Sequence, residues 1–258
     1  MSKPTTTLTV LRSEQLTPHM IRVFLGGPGF DAFTPNAFTD AYVKLEVPHE
    51  GQTYLRTYTV SSVNTDLREI AIDFVVHGDQ GIAGPWAARA KAGESLTVRG
   101  PGGAYAPDAG ADWHLLAGDE TAIPAISAAA RALSPEAVGY IVVEVAGADD
   151  ELPITAPEGV QVIWVHRGNA SNVAGEEQSG DNAPIIATVR ELEWLPGEPH
   201  VFIHGEAQAV MHNLRPYIRN ERGVSAKRAS ISGYWRRGRT EEGFRVWKSE
   251  LAVAEAAG

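Results

Sequence analysis

The sequence predicts a small antiparallel β-barrel followed by a parallel α/β domain. Three observations predict it. Six short apolar or alternating runs crowd the first 110 residues. Beyond residue 112, strands alternate with helices, the pattern of a parallel sheet with crossover helices. Gly 26 and Pro 16 are plentiful without a collagen-like period, which suits loop-rich β structure.

The barrel runs are residues 8–11, 20–25, 42–47, 55–60, 69–76 and 96–99. Many of their residues are β-branched, and Gly, Pro, Asn or Asp clusters separate several of them. Six such strands build an antiparallel barrel or sandwich. One helix interrupts them at 84–91, with Pro85 near its start and Gly93 beyond its end. Residues 113–117 form an apolar strand that runs into Gly118-Asp119-Glu120-Thr121 and an Ala-rich helix at 123–133. Further strands are expected at 138–145, 160–165 and 201–204, and helices at 181–194 and 207–222. The polar, Gly-rich stretch 169–182 reads as a loop. The expected domains are 1–110 and 111–258, the second carrying a basic extension at 231–258.

Composition narrows the function classes. The 258 residues are 43% hydrophobic and 21% charged, which fits a globular chain of one or two domains. There is no cysteine, which excludes disulfides, thiolate catalysis, zinc–sulfur sites and iron–sulfur clusters. A formal charge of −10 disfavours nucleic-acid binding. No run of about 18 apolar residues predicts a membrane helix, and the N-terminus lacks a signal-peptide core. A soluble cytoplasmic monomer with no nucleic-acid or membrane partner is expected. No metal site is expected either. His200 and His204 flank Val-Phe-Ile in a strand and share no helical face, and GxSxG, Walker A and HExxH motifs are absent. Residues 215–248 hold ten basic and three acidic side chains, about +7, against about −17 elsewhere. That asymmetry fits a local anion site or a solvated helix face.

Four motifs can carry chemistry. Arg56-Thr57-Tyr58-Thr59 at a strand end offers a guanidinium fork for phosphate, a flat ring and hydroxyl donors. Strand alternation puts Arg56 and Tyr58 on one face and the two threonines on the other. The second motif is Asp73-Phe74-Val75-Val76-His77-Gly78, followed by Gly81-Ile82-Ala83-Gly84-Pro85-Trp86. A Gly-rich turn opening a helix presents free N–H groups to an anion, and small residues at Ala83 and Gly84 allow close approach. An ordinary capped helix with Trp86 in the core would read the same. The third motif is the strand–turn–helix around Gly118, Asp119, Glu120, Thr121 and Ala122, which matches the first unit of a nucleotide-binding sheet without a full GxGxxG. Other strand ends there carry Gly147, Arg167, Gly205 and Glu206. Arg167 stands where a 2′-phosphate could be read, or is a structural arginine. Fourth, Tyr234-Trp235-Arg236-Arg237-Gly238-Arg239 joins stacking aromatics to arginines, with Thr240 as a cap for the last helix.

Together these motifs resemble the siderophore-interacting proteins, FAD-dependent ferric-siderophore reductases within the ferredoxin-reductase-like flavoproteins. The matching stretches are residues 56–59, 73–87, 100–103, 118–125 and 233–238, in the family's order. The resemblance implies an FAD-binding barrel and an NAD(P)H-binding α/β domain. Arg56 would hold the FAD phosphates. Tyr58 and Thr59, beside Thr57, would meet the flavin ring. Asp73, Val75 and His77 would line the flavin or its ribityl chain, and Gly81, Ala83, Gly84 and Trp86 would wrap the pyrophosphate. Thr121 and Ala122 would border the nicotinamide, and Tyr234 and Trp235 would cover the side where substrate enters. Gly118, Asp119, Glu120, Arg167, Gly205 and Glu206 are the expected NAD(P)H residues. Trp235, Arg236, Arg237, Arg239 and Lys248 are the expected siderophore residues. The donor would be NADPH, NADH or ferredoxin, and no catalytic acid or base is required. Two departures stand out. Ala83-Gly84 replaces a more common Ala-Ser or Ala-Thr, and Arg236 replaces a common Lys. A general flavin reductase or diaphorase, and a flavin-free iron-chelate carrier, are the alternative readings.

Overall fold

The computed structural model describes residues 4–257. Strands β1 (Thr5–Thr17), β2 (Met20–Gly26), β3 (Tyr42–His49), β4 (Gln52–Asn64), β5 (Glu69–Val75) and β6 (Ser95–Gly102) close into a barrel of order β1-β2-β5-β4-β3-β6. Every ladder in it is antiparallel. Period-two patterning drives the closure. Along β3, Val43, Leu45 and Val47 are fully buried while Tyr42, Lys44 and Glu46 keep some exposure. Leu8, Val23, Leu25, Ile72, Phe74 and Val98 complete the interior. Helix α1 (Ala83–Arg89) plugs it, with Ala83 and Ala87 in the core and Trp86 against Phe74 at 5.6 Å.

The second half contains β7 (Trp113–Asp119), α2 (Ile123–Ala132), β8 (Gly139–Val145), β9 (Val160–His166), α3 (Pro184–Glu191), β10 (Pro199–Glu206), β11 (Ala229–Trp235) and α4 (Glu241–Ala257). Its sheet runs β11-β10-β7-β8-β9, parallel throughout. Elements cover both faces, so β7 and β10 are buried at every position and read as largely apolar runs, interrupted by His114, Asp119, His200, His204 and Glu206. Leu116, Ile141, Val143 and Phe202 pack with α2 on one face. Leu115, Ala117, Val201 and Ile203 form the core on the other. The chain leaves β7 toward β8 and β9, then returns to β7's other side as β10. The crevice beyond the carboxyl ends of β7 and β10 is thus the switch point where such sheets bind ligands.

The barrel-then-parallel-sheet architecture matches the expectation, with three differences in detail. Strand β11 was not expected. Ala-Ser-Ile-Ser-Gly-Tyr-Trp has one aliphatic side chain among its small residues, and its pairing with β10 from Val201↔Ala229 to Gly205↔Gly233 makes it a strand. The helix expected at 181–194 is shorter, Pro184–Glu191. Asp181 lies before it, accepting from Gln208 and Asn213. The helix expected at 207–222 widens into π-helical turns at Gln208–Leu214 and Tyr217–Glu221. Pro216 lies between them, where its missing N–H interrupts the ladder.

The two halves touch directly. His19 on the barrel bonds Asp150 at 2.9 Å, and Tyr105 stacks on His200 of β10 at 4.8 Å. No helix among the described residues is long and apolar enough to cross a membrane.

Candidate functional site

A cavity of about 580 Å³ lies between the barrel and the carboxyl end of the parallel sheet. Arg56, Thr57, Tyr58 and Thr59 line it from β4, with Asp73 and Val75 from β5. Both faces of β4 reach it because the strand forms its rim. Thr121, Tyr234, Trp235, Arg236, Arg239 and Lys248 line the opposite side. The structure therefore gathers twelve of the expected residues from positions 56 to 248. Sequence reasoning missed Lys44, His204 and Arg245, which also face the cavity.

Charge there is predominantly positive. Lys44, Arg56, Arg236, Arg239, Arg245 and Lys248 face Asp40, Asp73 and Glu241. Asp73 offers no free charge, since it accepts from Arg22 at 2.6 and 2.8 Å and from Ser61 Oγ at 3.0 Å. Lys248 donates to Ser232 Oγ at 3.0 Å and to the Gly233 carbonyl at 3.2 Å. Burial holds its ammonium below the ordinary lysine range. The aromatic wall is equally defined. Tyr58 packs on Phe74 at 4.5 Å, and burial raises the Tyr58 and Tyr234 hydroxyls above the ordinary phenol range. His204 stacks on Phe202 at 4.0 Å and meets Tyr234 edge-on; burial pushes it down to about 3, so it is neutral.

Arg56 already has anionic partners. Its Nη1 donates to Glu242 at 2.6 Å, its Nε lies 3.8 Å from Glu241, and Thr57 Oγ1 donates to Glu241 at 3.1 Å. Both glutamates belong to the first turn of α4. No local pattern links residues 186 positions apart, so the sequence carried no signal for this clasp.

The expected pyrophosphate turn is partly structural. Gly81 takes a positive φ of 78° in open space, a conformation suited to glycine. Gly84 instead packs on β5, where a Cβ would stand 3.1 Å from the Val75 carbonyl. Ala83 is in the barrel core. His77 bonds Ser171 through Nε2 at 3.1 Å, and its Nδ1 is buried without a partner among the described residues. Arg236 Nη1 is likewise buried and unpartnered.

The expected dinucleotide residues divide sharply. Arg167 is not a surface phosphate reader. Its guanidinium is buried, bonded to Glu120 at 2.8 and 3.1 Å and to Glu144 at 2.8 Å. Arg167 is buried just past β9, whose last residue His166 is exposed, and that placement is invisible in a one-dimensional pattern. Glu120 is committed to the same triad. Glu206 caps the following helical turns, accepting from Gln208 N at 2.7 Å and Ala209 N at 3.1 Å. Gly118 is small for packing: a Cβ there would lie 2.3 Å from the His204 carbonyl and 2.5 Å from Ala122 Cβ. Gly205 has φ 151°, and a Cβ would strike Asp119 Oδ2 at 2.8 Å. Ala122 is fully buried. Arg237 does not line the cavity. Its backbone N–H bonds Glu206, and its Nη1 reaches the Ala174 carbonyl at 3.4 Å.

Two family descriptions match this chain. The siderophore-interacting protein family covers residues 111–238, and the siderophore-interacting FAD-binding domain covers 9–55 and 46–105. The chain belongs to the siderophore-interacting protein family. An uncharacterized protein of Mycobacterium tuberculosis is 55% identical over 98% of both chains. Ferric vibriobactin reductase of Vibrio cholerae is 29% identical over 92% of this chain and 91% of its own. The crystal structure of a siderophore utilization protein from T. fusca matches with TM-score 0.81 at 32% identity, over 93% of this chain and 95% of that one. A ferredoxin reductase of carbazole 1,9a-dioxygenase shares the fold at 18% identity, TM-score 0.69, over 90% of this chain and 70% of that one. The family's cofactor is FAD, and the cavity fits it. An aromatic wall of Tyr58, Tyr234 and Trp235 and the Arg56 guanidinium on the barrel rim are what a flavin with a diphosphate needs.

Proposed function

We propose that this chain is an FAD-dependent ferric-siderophore reductase in the cytoplasm, drawing electrons from NADPH or NADH and releasing Fe(II). The observation that carries this reading is the cavity itself, with Tyr58, Tyr234 and Trp235 among six cationic side chains. A net acidic chain thus presents a positive mouth, which attracts an anionic ferric chelate and raises its local concentration. Bound FAD supplies the conversion of one two-electron donation into two one-electron transfers, so two ferric chelates are reduced per dinucleotide oxidised. Arg56 and Thr57 would hold the diphosphate, and Tyr58 and Thr59 would border the ring. Tyr234 and Trp235 would shape the acceptor side, and Arg236, Arg239 and Lys248 would hold the chelate. Reduction of Fe(III) lowers the metal's affinity for its chelator, so no acid or base is needed for release. In the cavity His204 is neutral and Asp73 is paired.

The test is anaerobic turnover of the FAD-loaded protein with NADPH or NADH against ferric siderophores and simple acceptors. Preference for simple acceptors would assign a general diaphorase, and failure to take up FAD would assign a carrier. With an anionic chelate, the double variant Arg236→Ala, Arg239→Ala is expected to raise KM about tenfold, with kcat nearly unchanged. The gap should shrink at high salt as screening takes over. Arg237→Ala should leave KM where it was, because its guanidinium points elsewhere.

A further inference from the structure

Asp119 stands at the switch point of the sheet, buried at the carboxyl end of β7. Its two oxygens serve different parts of the molecule. Oδ1 accepts from Thr121 N at 2.9 Å and from Thr121 Oγ1 at 2.5 Å, fixing the turn into α2. Oδ2 accepts from Glu206 N at 2.8 Å, which ties down the end of β10. The same Oδ2 accepts from the indole Nε1 of Trp235 at 2.8 Å, at the end of β11. Four donors therefore converge on one carboxylate, leaving little capacity for a ligand. Trp235 lines the cavity, whereas Asp119 does not. Beside Trp235, Tyr234 packs edge-on to His204 and lines the cavity with Thr59. Glycine at 205 is required for this arrangement, since any side chain would occupy the space of Oδ2.

We propose that Asp119 is a positioning residue, not a dinucleotide ligand: its carboxylate locks the Trp235 indole against the strand ends and so sets the acceptor wall of the cavity. That role rests on the reductase reading for its consequence in turnover, but the lock itself is a property of the fold. The lock is also pH-sensitive. Burial, then repulsion from Glu120, pushes Asp119 up to about 7, opposed by its bonds to Thr121 and Trp235 and by the Arg167 charge. The charged and titratable groups around it are Glu120 beside it, Arg167 and through it Glu144 from β9 and β8, Glu206 from β10 and Tyr234 from β11. A proton on Oδ1 can be donated to Thr121 Oγ1, whose hydroxyl turns to accept. Oδ2 then keeps its two donors but loses the charge that strengthens those bonds. The indole is held firmly above neutrality and more loosely below it.

The experiment uses the FAD-loaded full chain with ¹⁵N-labelled tryptophan. The Trp235 indole resonance is identified as the one that disappears in Trp235→Phe. It is expected to move upfield as pH falls through about 7, and to stop titrating in Asp119→Asn. In turnover, Asp119→Asn should raise KM for the ferric chelate about fivefold to tenfold while KM for the dinucleotide stays unchanged. Trp235→Phe should do the same, and the double variant should be no worse than either single one. An indole resonance indifferent to Asp119→Asn, or a rise in dinucleotide KM instead, overturns the proposal. If the wild type reduces no ferric chelate, the reductase reading falls, and the indole titration alone decides whether Asp119 holds Trp235.

Discussion

Replacing Arg167 with Met is expected to cost about 3–5 kcal/mol of stability at neutral pH, because it strands two buried carboxylates. The Arg167, Glu120 and Glu144 side chains are 3%, 8% and 5% exposed, so water cannot take over the lost bonds. Glu144 also accepts the Ile185 N–H at 2.9 Å, so the strain would reach the first turn of α3. For a chain of this size the loss corresponds to a fall in Tm of about 6–20 °C, readable by calorimetry. Its pH dependence has a definite sign. Burial already raises the Glu144 carboxyl above its ordinary value, against the pull of Arg167. Without Arg167 the folded variant binds protons that the unfolded chain has released, so its deficit shrinks as pH falls. Adding Glu120→Gln and Glu144→Gln should recover most of the loss. A variant that melts with the wild type at pH 7 would show that the triad is neither dry nor charged.

Arg56→Ala is expected to weaken FAD binding about 10- to 100-fold, the range for one charge-assisted pair lost from a site. Fluorescence titration of the flavin-free protein reads it directly. The contrast is Glu242→Gln. In the structure Glu242 takes the guanidinium's hydrogen bond at 2.6 Å, so a diphosphate on Arg56 must displace or share it. Removing that carboxylate charge should tighten FAD binding while leaving the fold intact, since Glu242 is about half exposed. Equal loss in both variants would mean that Glu242 orients Arg56 instead of competing for it.

Much of the architecture was legible from patterning. Alternation in β3 and the largely apolar centres of β7 and β10 announce a half-exposed barrel and a doubly covered sheet. Strand β11 was not legible, because its first five residues are mostly small and its pairing with β10 makes it a strand. In the site, the Arg56–Thr59 and Tyr234–Arg236 segments were found by residue type, since their chemistry is written locally. The two readings of Arg167 stayed open because a strand-end arginine looks the same whether it faces a ligand or two glutamates, one on β8 and one in the turn after β7. The meeting of Asp119 with Trp235, 116 positions apart, belongs to the same class of information.

The cavity draws one wall from residues 40–75 and the other largely from residues 204–248. During synthesis the barrel and the first four strands of the sheet emerge before β11 and α4. A nascent chain halted before Ala229 would hold Tyr58 and Arg56 but not Tyr234, Trp235 or the glutamates that clasp Arg56. On the proposed reading, the flavin is captured between two walls late in biogenesis, through contacts of long sequence separation. On the same reading, fusions placed after α4 are expected to impair cofactor loading more than folding of the barrel.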